Sequence, residues 1–466
     1  MQDDRVGNRA EHEEYPAAGY AWYVVAVLTL AYVVSFIDRQ ILGLLVKPIQ
    51  EDLGIGDKQI SLLMGATFAV FYTLFGIPLG RLADTCSRRT IIAAGIGFWS
   101  LMTAGCGLAK SFWQLAVLRV GVGVGEAALS PSAYSLIADY FRPERRSTAM
   151  SVYSMGIFVG SGLAFILGGL VVRFSEAQKS FLMPLIGMVR SWQLVFLIVG
   201  LPGLAMALLL YTIREPTRKG IRRLTEGTDT APRATMREVW AYLLDNWGTF
   251  ACLNLGVAMI TLNTYGMSSW VPSMFIRRYG WSPAETGMVF GLIVGTSGTL
   301  GIVTGGRVAD WLSERGYGDA TVRVAGFAAL AWLPFGVVYP LVPSAAWSAA
   351  IVTPAMFFSS MPFGVAPAAI QRMMPNTMRA QATAVYLFVI NLIGMGLGPT
   401  LVAALTEDVF RDKQAVHYSL AIVGAISQTM AGVLLCAGLK RYRRSLEYFE
   451  EWDQAREEGS KIEDAR

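Results

Sequence analysis

Charge is scarce in this chain of 466 residues: 16% are Asp, Glu, Lys or Arg, against 54% that are hydrophobic, far from the balance of a soluble globular protein. Histidine is scarcer still, and His12 and His417 stand far apart in the sequence, which argues against a histidine-ligated metal centre. The four cysteines, Cys86, Cys106, Cys252 and Cys436, form no CxxC pair and fall mostly in apolar stretches. They read as small buried hydrophobes rather than as disulfides or metal ligands. No GxxxxGK(S/T) loop is present, which disfavours ATP-driven chemistry. Neither a cofactor nor a bound metal is expected, and no cleavable leader is recognised.

What the chain has instead is apolar length. About 20 residues of helix cross a hydrocarbon core roughly 30 Å thick, and windows of that kind centre near residues 33, 69, 99, 125, 160, 202, 261, 298, 332, 357, 392 and 426. Each is expected to be a helix, because bare backbone cannot face lipid. Basic loops stay on the cytoplasmic side. With both termini placed there, 27 of the 39 lysines and arginines fall inside and 10 outside, and only Arg39 and Arg119 are left at bilayer depth. The net charge of +5 is therefore a topology signal and calls for no nucleic-acid partner.

The polar stretch RKGIRRLTEGTDTAPRATMRE, residues 218 to 238, falls between the sixth and seventh windows. The expected organisation is a cytoplasmic tail (1–19), a six-helix bundle (20–213), a cytoplasmic linker (214–246), a second six-helix bundle (247–438) and a cytoplasmic C-terminal helix and tail (439–466). GRLAD after the second window, Gly80 to Asp84, recurs as GRVAD after the eighth, Gly306 to Asp310. A pentapeptide repeated at matching places in two halves points to internal duplication. Two such halves with a site between them form an architecture of secondary transporters.

GRLADTCSRR, residues 80 to 89, resembles the signature loop between the second and third helices of the major facilitator superfamily, with Gly80, Asp84, Arg88 and Arg89 on its pattern and Ser87 where that family has glycine. FIDRQIL, FWSLMTAG (98–105), RVGVGVGEAALSPSAYSLIADYF (119–141) and VGSGLAFILGG (159–169) resemble its spinster branch. The resemblance implies an all-α fold of twelve transmembrane helices in two pseudo-symmetric bundles. It also implies lysophospholipid or sphingosine-phosphate transport, and the lack of an Asn-x-Ser/Thr sequon suits a bacterial member.

An ionisable side chain at bilayer depth is expensive and tends to be paired, inward-facing and functional. At about 1.5 Å per residue, Asp38 lies about 12 Å below the outer surface and Arg119 about 10 Å, so the two are expected to pair. Glu126 follows Arg119 by two turns on the same face. Asp38 and Glu126 are expected to exchange protons around Arg119; the alternative is a static ion-pair cluster. Arg39 either meets a substrate phosphate or snorkels to the headgroups. Asp84, Arg88, Arg142 and Asp310 are expected to gate the cytoplasmic side, the alternative for the repeated aspartates being ordinary solvated loop charges.

The midst of helices seven to twelve holds no acid or base. Asn263, Tyr265 and Asn391 are its polar candidates for substrate binding, Phe357 and Met361 its soft apolar ones, opposite Arg39, Arg119 and Glu126. A charged half facing an apolar half suits an amphiphile. Gly121 with Gly125, and the glycines from Gly156 to Gly169, are small-residue pairs that let helices approach closely, and Pro131 is expected to bend its helix. The expected protein is a monomeric, proton-coupled inner (plasma) membrane carrier of a lysolipid or similar amphiphilic anion, working by alternating access. A multidrug or small organic-anion exporter is the rival, and a multi-span lipid-modifying enzyme is disfavoured for want of a nucleophile–base pair or ligand cluster.

Overall fold

In the computed structural model, residues 16–141, 143–176, 180–183, 187–216, 236–374 and 378–464 are described. Apart from a two-stranded antiparallel hairpin, Ser180–Met183 with Gly187–Arg190, the regular structure among them is helical. Among the described residues, eleven helices are long and apolar enough to cross a membrane. They are α1 (Ala18–Leu44), α2 (Asp57–Ala83), α4 (Phe112–Ile137), α6 (Ser191–Thr212), α7 (Trp247–Tyr279), α8 (Pro283–Glu314), α9 (Ala320–Val338), α10 (Ala345–Ile370) and α11 (Val385–Phe410), with α5 (Pro143–Glu176) and α12 (Val416–Asp464), whose apolar parts make up the remaining two. The remaining window, the third, is α3 (Arg88–Cys106), which opens on two arginines and packs between α4 and α6 as a span does.

Helices α1–α6 form one bundle and α7–α12 the other. The contacts repeat: α1 packs on α5 as α7 packs on α11, and α3 on α6 as α9 on α12. Across the seam, α5 meets α8 and α2 meets α11, the pairing a pseudo-twofold axis requires. The start of α1 and the end of α6 share one face, which we call the terminal face, where Tyr20 and Tyr23 reach Thr212. The opposite face is the far face.

Helix interruptions have sequence causes. Helix α4 breaks at Ala127–Ala128, four and three residues before Pro131, because proline has no N–H for the carbonyl four residues back and its ring crowds that carbonyl. In α10 the break falls at Met361, ahead of Pro362. GRLAD and GRVAD lie within the last turns of their helices rather than in loops, α2 staying helical beyond its apolar span to Thr85. Ser87 makes the following turn without a left-handed backbone, at φ −63°, and caps α3 by accepting from the Thr90 N–H. Of the expected linker, 217–235 lie outside the described residues, and Met236–Asp245 is helix. The free cysteines divide: Cys106 and Cys252 are buried, whereas Cys86 and Cys436 are exposed, not buried as expected.

Glycine sets the approach of the halves. On α5, Gly156 and Gly160 lie against α1, while Gly162 and Gly169 lie against Gly291 and Ala284 of α8. A Cβ on Gly162 would sit 2.6 Å from the Gly291 carbonyl oxygen, far inside van der Waals contact. Gly162→Leu is therefore expected to push α5 off α8 and open the seam. Spin-label distances across the far face should lengthen in that variant, and unchanged distances would refute the packing role.

Candidate functional site

Four charged side chains of the first bundle come together inside the protein. Asp38 and Arg39 lie near the end of α1, just before its closing 3-10 turn Ile41–Leu44, Arg119 and Glu126 lie on α4, and all are buried, Arg39 being the most exposed at 8%. Their pairing differs from the expected one. Arg39, not Arg119, holds the carboxylate: its Nη2 and Nε donate to Glu126 Oε2 at 2.6 and 2.9 Å, and the Ser35 hydroxyl donates to the same oxygen at 2.5 Å. Arg39 thus neither snorkels nor stands free for a phosphate. Its guanidinium lies over the rings of Phe36, Phe68 and Tyr72, at 4.5, 4.6 and 4.9 Å from their centroids.

The expected Asp38–Arg119 salt bridge is absent. Arg119 donates from Nη1 to the Asp38 backbone carbonyl at 3.2 Å and from Nε to the Leu63 carbonyl at 3.4 Å. The Asp38 carboxylate accepts from the Thr103 hydroxyl at 3.2 Å. The cause is side-chain tilt. Helical side chains lean toward their own N-terminus, and α1 and α4 run antiparallel. Arg39 and Glu126 start at different depths and lean toward each other, so they meet. Arg119 and Asp38 start at one depth and lean apart, so the guanidinium slides past the carboxylate to the backbone carbonyls. Asp38 Oδ1, Arg119 Nη2 and Glu126 Oε1 are left with no hydrogen-bond partner.

The cluster borders the seam. Arg39, Gln40, Met64, Tyr265 and Met395 help line a cavity of about 10 Å³ between the bundles, roughly one water in size. Tyr265 of α7 is near enough to Arg39 and Glu126 to interact electrostatically with both. Asn391 is half-buried and begins a π-helical segment of α11, Asn391–Leu397, of the kind often found at functional sites. The other second-bundle candidates lie elsewhere. Asn263 donates to Met267 Sδ at 3.5 Å and faces Gly424 of α12. Phe357 stands edge-on to Phe358 at 5.3 Å, and Met361 is buried in the second bundle's own core. A helix apolar on all sides does not reveal which face it turns inward.

Above the cavity, polar groups missed in the sequence close the far face. Arg277 of α7 donates to both oxygens of Asp57, at 2.8 and 2.8 Å, and Gln50 donates to Asp57 Oδ1 at 2.6 Å. The Asp57 amide donates to Glu407, Lys58 pairs with Asp408, and the Ser268 hydroxyl donates to Gln40 at 2.9 Å. A lone acid after Gly56 reads in sequence as an ordinary helix start, so nothing signalled a lock between bundles.

On the terminal face, Arg88 is buried and pairs with Asp139 at 2.5 Å and Glu215 at 2.9 Å. The side chain of Asp84 and all of Arg142 lie outside the described residues, and Asp310 is exposed. Burial pushes the Glu215 carboxyl up, but hydrogen bonds from the Arg89 amide, the Arg88 guanidinium and the Ser87 hydroxyl outweigh it and hold the group below its usual 4.5.

The Major Facilitator Superfamily model matches residues 28–438. A protein of Mycolicibacterium smegmatis described as an MFS-type efflux pump is 29% identical over 94% of this chain and 96% of its own. Protein spinster homolog 1 of Bos taurus is 26% identical over 88% and 80%. A crystal structure of a bacterial homolog to the human lysosomal transporter Spinster, inward-facing and unoccupied, superposes with a TM-score of 0.74 at 28% identity, covering 94% of this chain and 99% of that one.

Removing one member of a buried ion pair strands the other, at about 3–5 kcal/mol. Glu126→Leu and Arg39→Leu should therefore each lower the melting temperature, and the double variant should recover much of the loss; strictly additive losses would deny the pair its coupling. For Glu215 the depressed folded-state pKa means its contribution is present above the unfolded value and fades as pH falls through the folded one. Wild type should lose an increment of stability on acidification below about 4.5 that Glu215→Gln lacks, measured as melting temperature against pH.

Proposed function

The chain belongs to the Major Facilitator Superfamily and is a spinster-like membrane transporter rather than an enzyme, and within that class we propose that it carries a lysolipid or similar amphiphilic anion by proton-coupled alternating access. The observation that carries the reading is the buried Arg39–Glu126 pair at the seam, with one Glu126 oxygen unpartnered. A proton on Glu126 removes the charge that holds Arg39 among its aromatic rings. The freed guanidinium can then meet an anionic headgroup, while Arg119, fixed on two carbonyls, supplies a constant positive field. Asp38, with its own unpartnered oxygen, is the second carboxylate of the cycle. Tyr265 meets the headgroup from the other bundle, Asn391 begins the π-helical segment whose Met395 lines the same cavity, and apolar lining receives the acyl chain. Proton and cargo bias the same two-state seam, which is what coupling requires.

The basic bias of one set of loops supports both termini being cytoplasmic in the inner (plasma) membrane, with the chain acting as a monomer. In that orientation the Asp57–Arg277 lock closes the outside. The description of the mycobacterial relative as an efflux pump favours a second reading, export of drugs or small organic anions; competition between lysolipid and hydrophobic cations in a binding assay separates the two.

In liposomes with an imposed pH gradient, wild type should accumulate or expel labelled lysolipid in response to the gradient, and Glu126→Gln should fall to the rate seen without one. A variant still driven at the wild-type rate would remove Glu126 from the coupling.

A further inference from the structure

We propose that Ser130, Tyr153, Tyr134 and Ser154 form a hydroxyl relay carrying protons between Glu126 and the terminal face. The inference rests on the reading of Glu126 as a coupling carboxylate. Glu126, Ser130 and Tyr134 recur every four residues along α4, and Ala127 and Ala128 at the break keep right-handed helical backbone, so one face carries all three. Because α4 runs from the far face to the terminal face, each step descends about 6 Å.

The hydroxyls on that face have partners on α5. The Ser130 and Tyr153 hydroxyls lie 3.5 Å apart, and those of Tyr134 and Ser154 are 3.3 Å apart. The Tyr153 ring stacks on Tyr32 at 4.5 Å and stands edge-on to Tyr134 at 5.2 Å, so the two pairs adjoin. Ser130 and Tyr153 are buried, and Tyr134 and Ser154 half-buried, a gradient of exposure away from Glu126. A hydroxyl both donates and accepts. A proton leaving the Glu126 carboxyl bonds to the next oxygen as the hydrogen held there passes onward. Every oxygen in the chain ends with one hydrogen, the carboxylate gains the negative charge, and water spans intervals wider than one hydrogen bond.

Direction comes from the lock. With Asp57 and Arg277 closing the far face, Glu126 exchanges protons toward the terminal face, where the relay leads. The groups facing Glu126 are Arg39 with Asp38 beside it from α1, Arg119 from its own helix and Tyr265 from α7, with Tyr72 of α2 under Arg39. These hold Glu126 in place. The relay is the path by which its proton travels, so holding and proton rate respond to different substitutions.

Tyr134→Phe and Tyr153→Phe keep the rings and remove only the hydroxyls; Ser130→Ala is the third variant. Each is reconstituted and compared with wild type in pH-gradient-driven lysolipid transport and in counterflow at equal pH, which needs no net proton transfer, with melting temperature as the folding check. The driven rate should fall at least about tenfold, as for loss of a positioned proton carrier, while counterflow and the midpoint of its pH dependence stay at wild-type values. Equal losses in both assays, or none in either, overturn the relay. A coupled wild type, an uncoupled Glu126→Gln and fully driven hydroxyl variants overturn the relay alone. A wild type indifferent to the gradient overturns the coupling role of Glu126 and the relay with it.

Discussion

The contact between Arg39 and Glu126 governs this structure because of where it lies. Either charge alone at bilayer depth would cost several kcal/mol. Together, with Ser35 and three aromatic rings around them, they tie the end of α1 to the middle of α4. The tie is incomplete by design of geometry: three donors converge on one Glu126 oxygen and none on the other. A carboxylate so held fastens two helices through one oxygen and leaves the other without a hydrogen-bond partner.

Much of the fold could be read in the sequence, because crossing a bilayer leaves a strong mark: apolar length, basic loops and the repeat of GRLAD as GRVAD. The charged members of the site were legible too, since Asp38, Arg39, Arg119 and Glu126 stand out in apolar surroundings. Their pairing was not. Depth counted along the axis ignores that side chains on antiparallel helices lean in opposite directions, and that lean is comparable to one helical turn. Second-bundle candidates fared unevenly for a related reason: Tyr265 reaches the cavity and Asn263 does not, although both sit on a helix with little polar asymmetry. Asp57 and Arg277 were invisible because each has an ordinary local role, and only the packing of two bundles brings them together.

The two bundles touch through contacts of contrasting character. Along α5 and α8 the closest approaches are made by glycine and backbone, with Phe165 edge-on to Phe290 at 5.0 Å and the Ile166 and Phe158 side chains seated over Gly291 and Gly298. The α2–α11 contact is likewise built on small residues, a Cβ on Gly65 falling 2.6 Å from the Met395 carbonyl. At the far face, by contrast, the bundles are joined by charged groups, Asp57 with Arg277 and Lys58 with Asp408. The seam is thus apolar and closely packed along its length and joined at the far face by a few electrostatic contacts.

Helix α12 continues without interruption from Val416 to Asp464, and its extension is clamped to the second bundle by Ser445 on Thr249 at 2.7 Å and Tyr442 on the Ala369 carbonyl at 2.9 Å. At about 1.5 Å per residue, 49 residues give a rod roughly twice as long as the membrane is thick. A rod bolted to one bundle turns a few degrees of tilt into several ångströms of sweep at its tip. The tail is thereby a long lever fixed to the second bundle, a natural mount for a rigid fiducial or fluorophore.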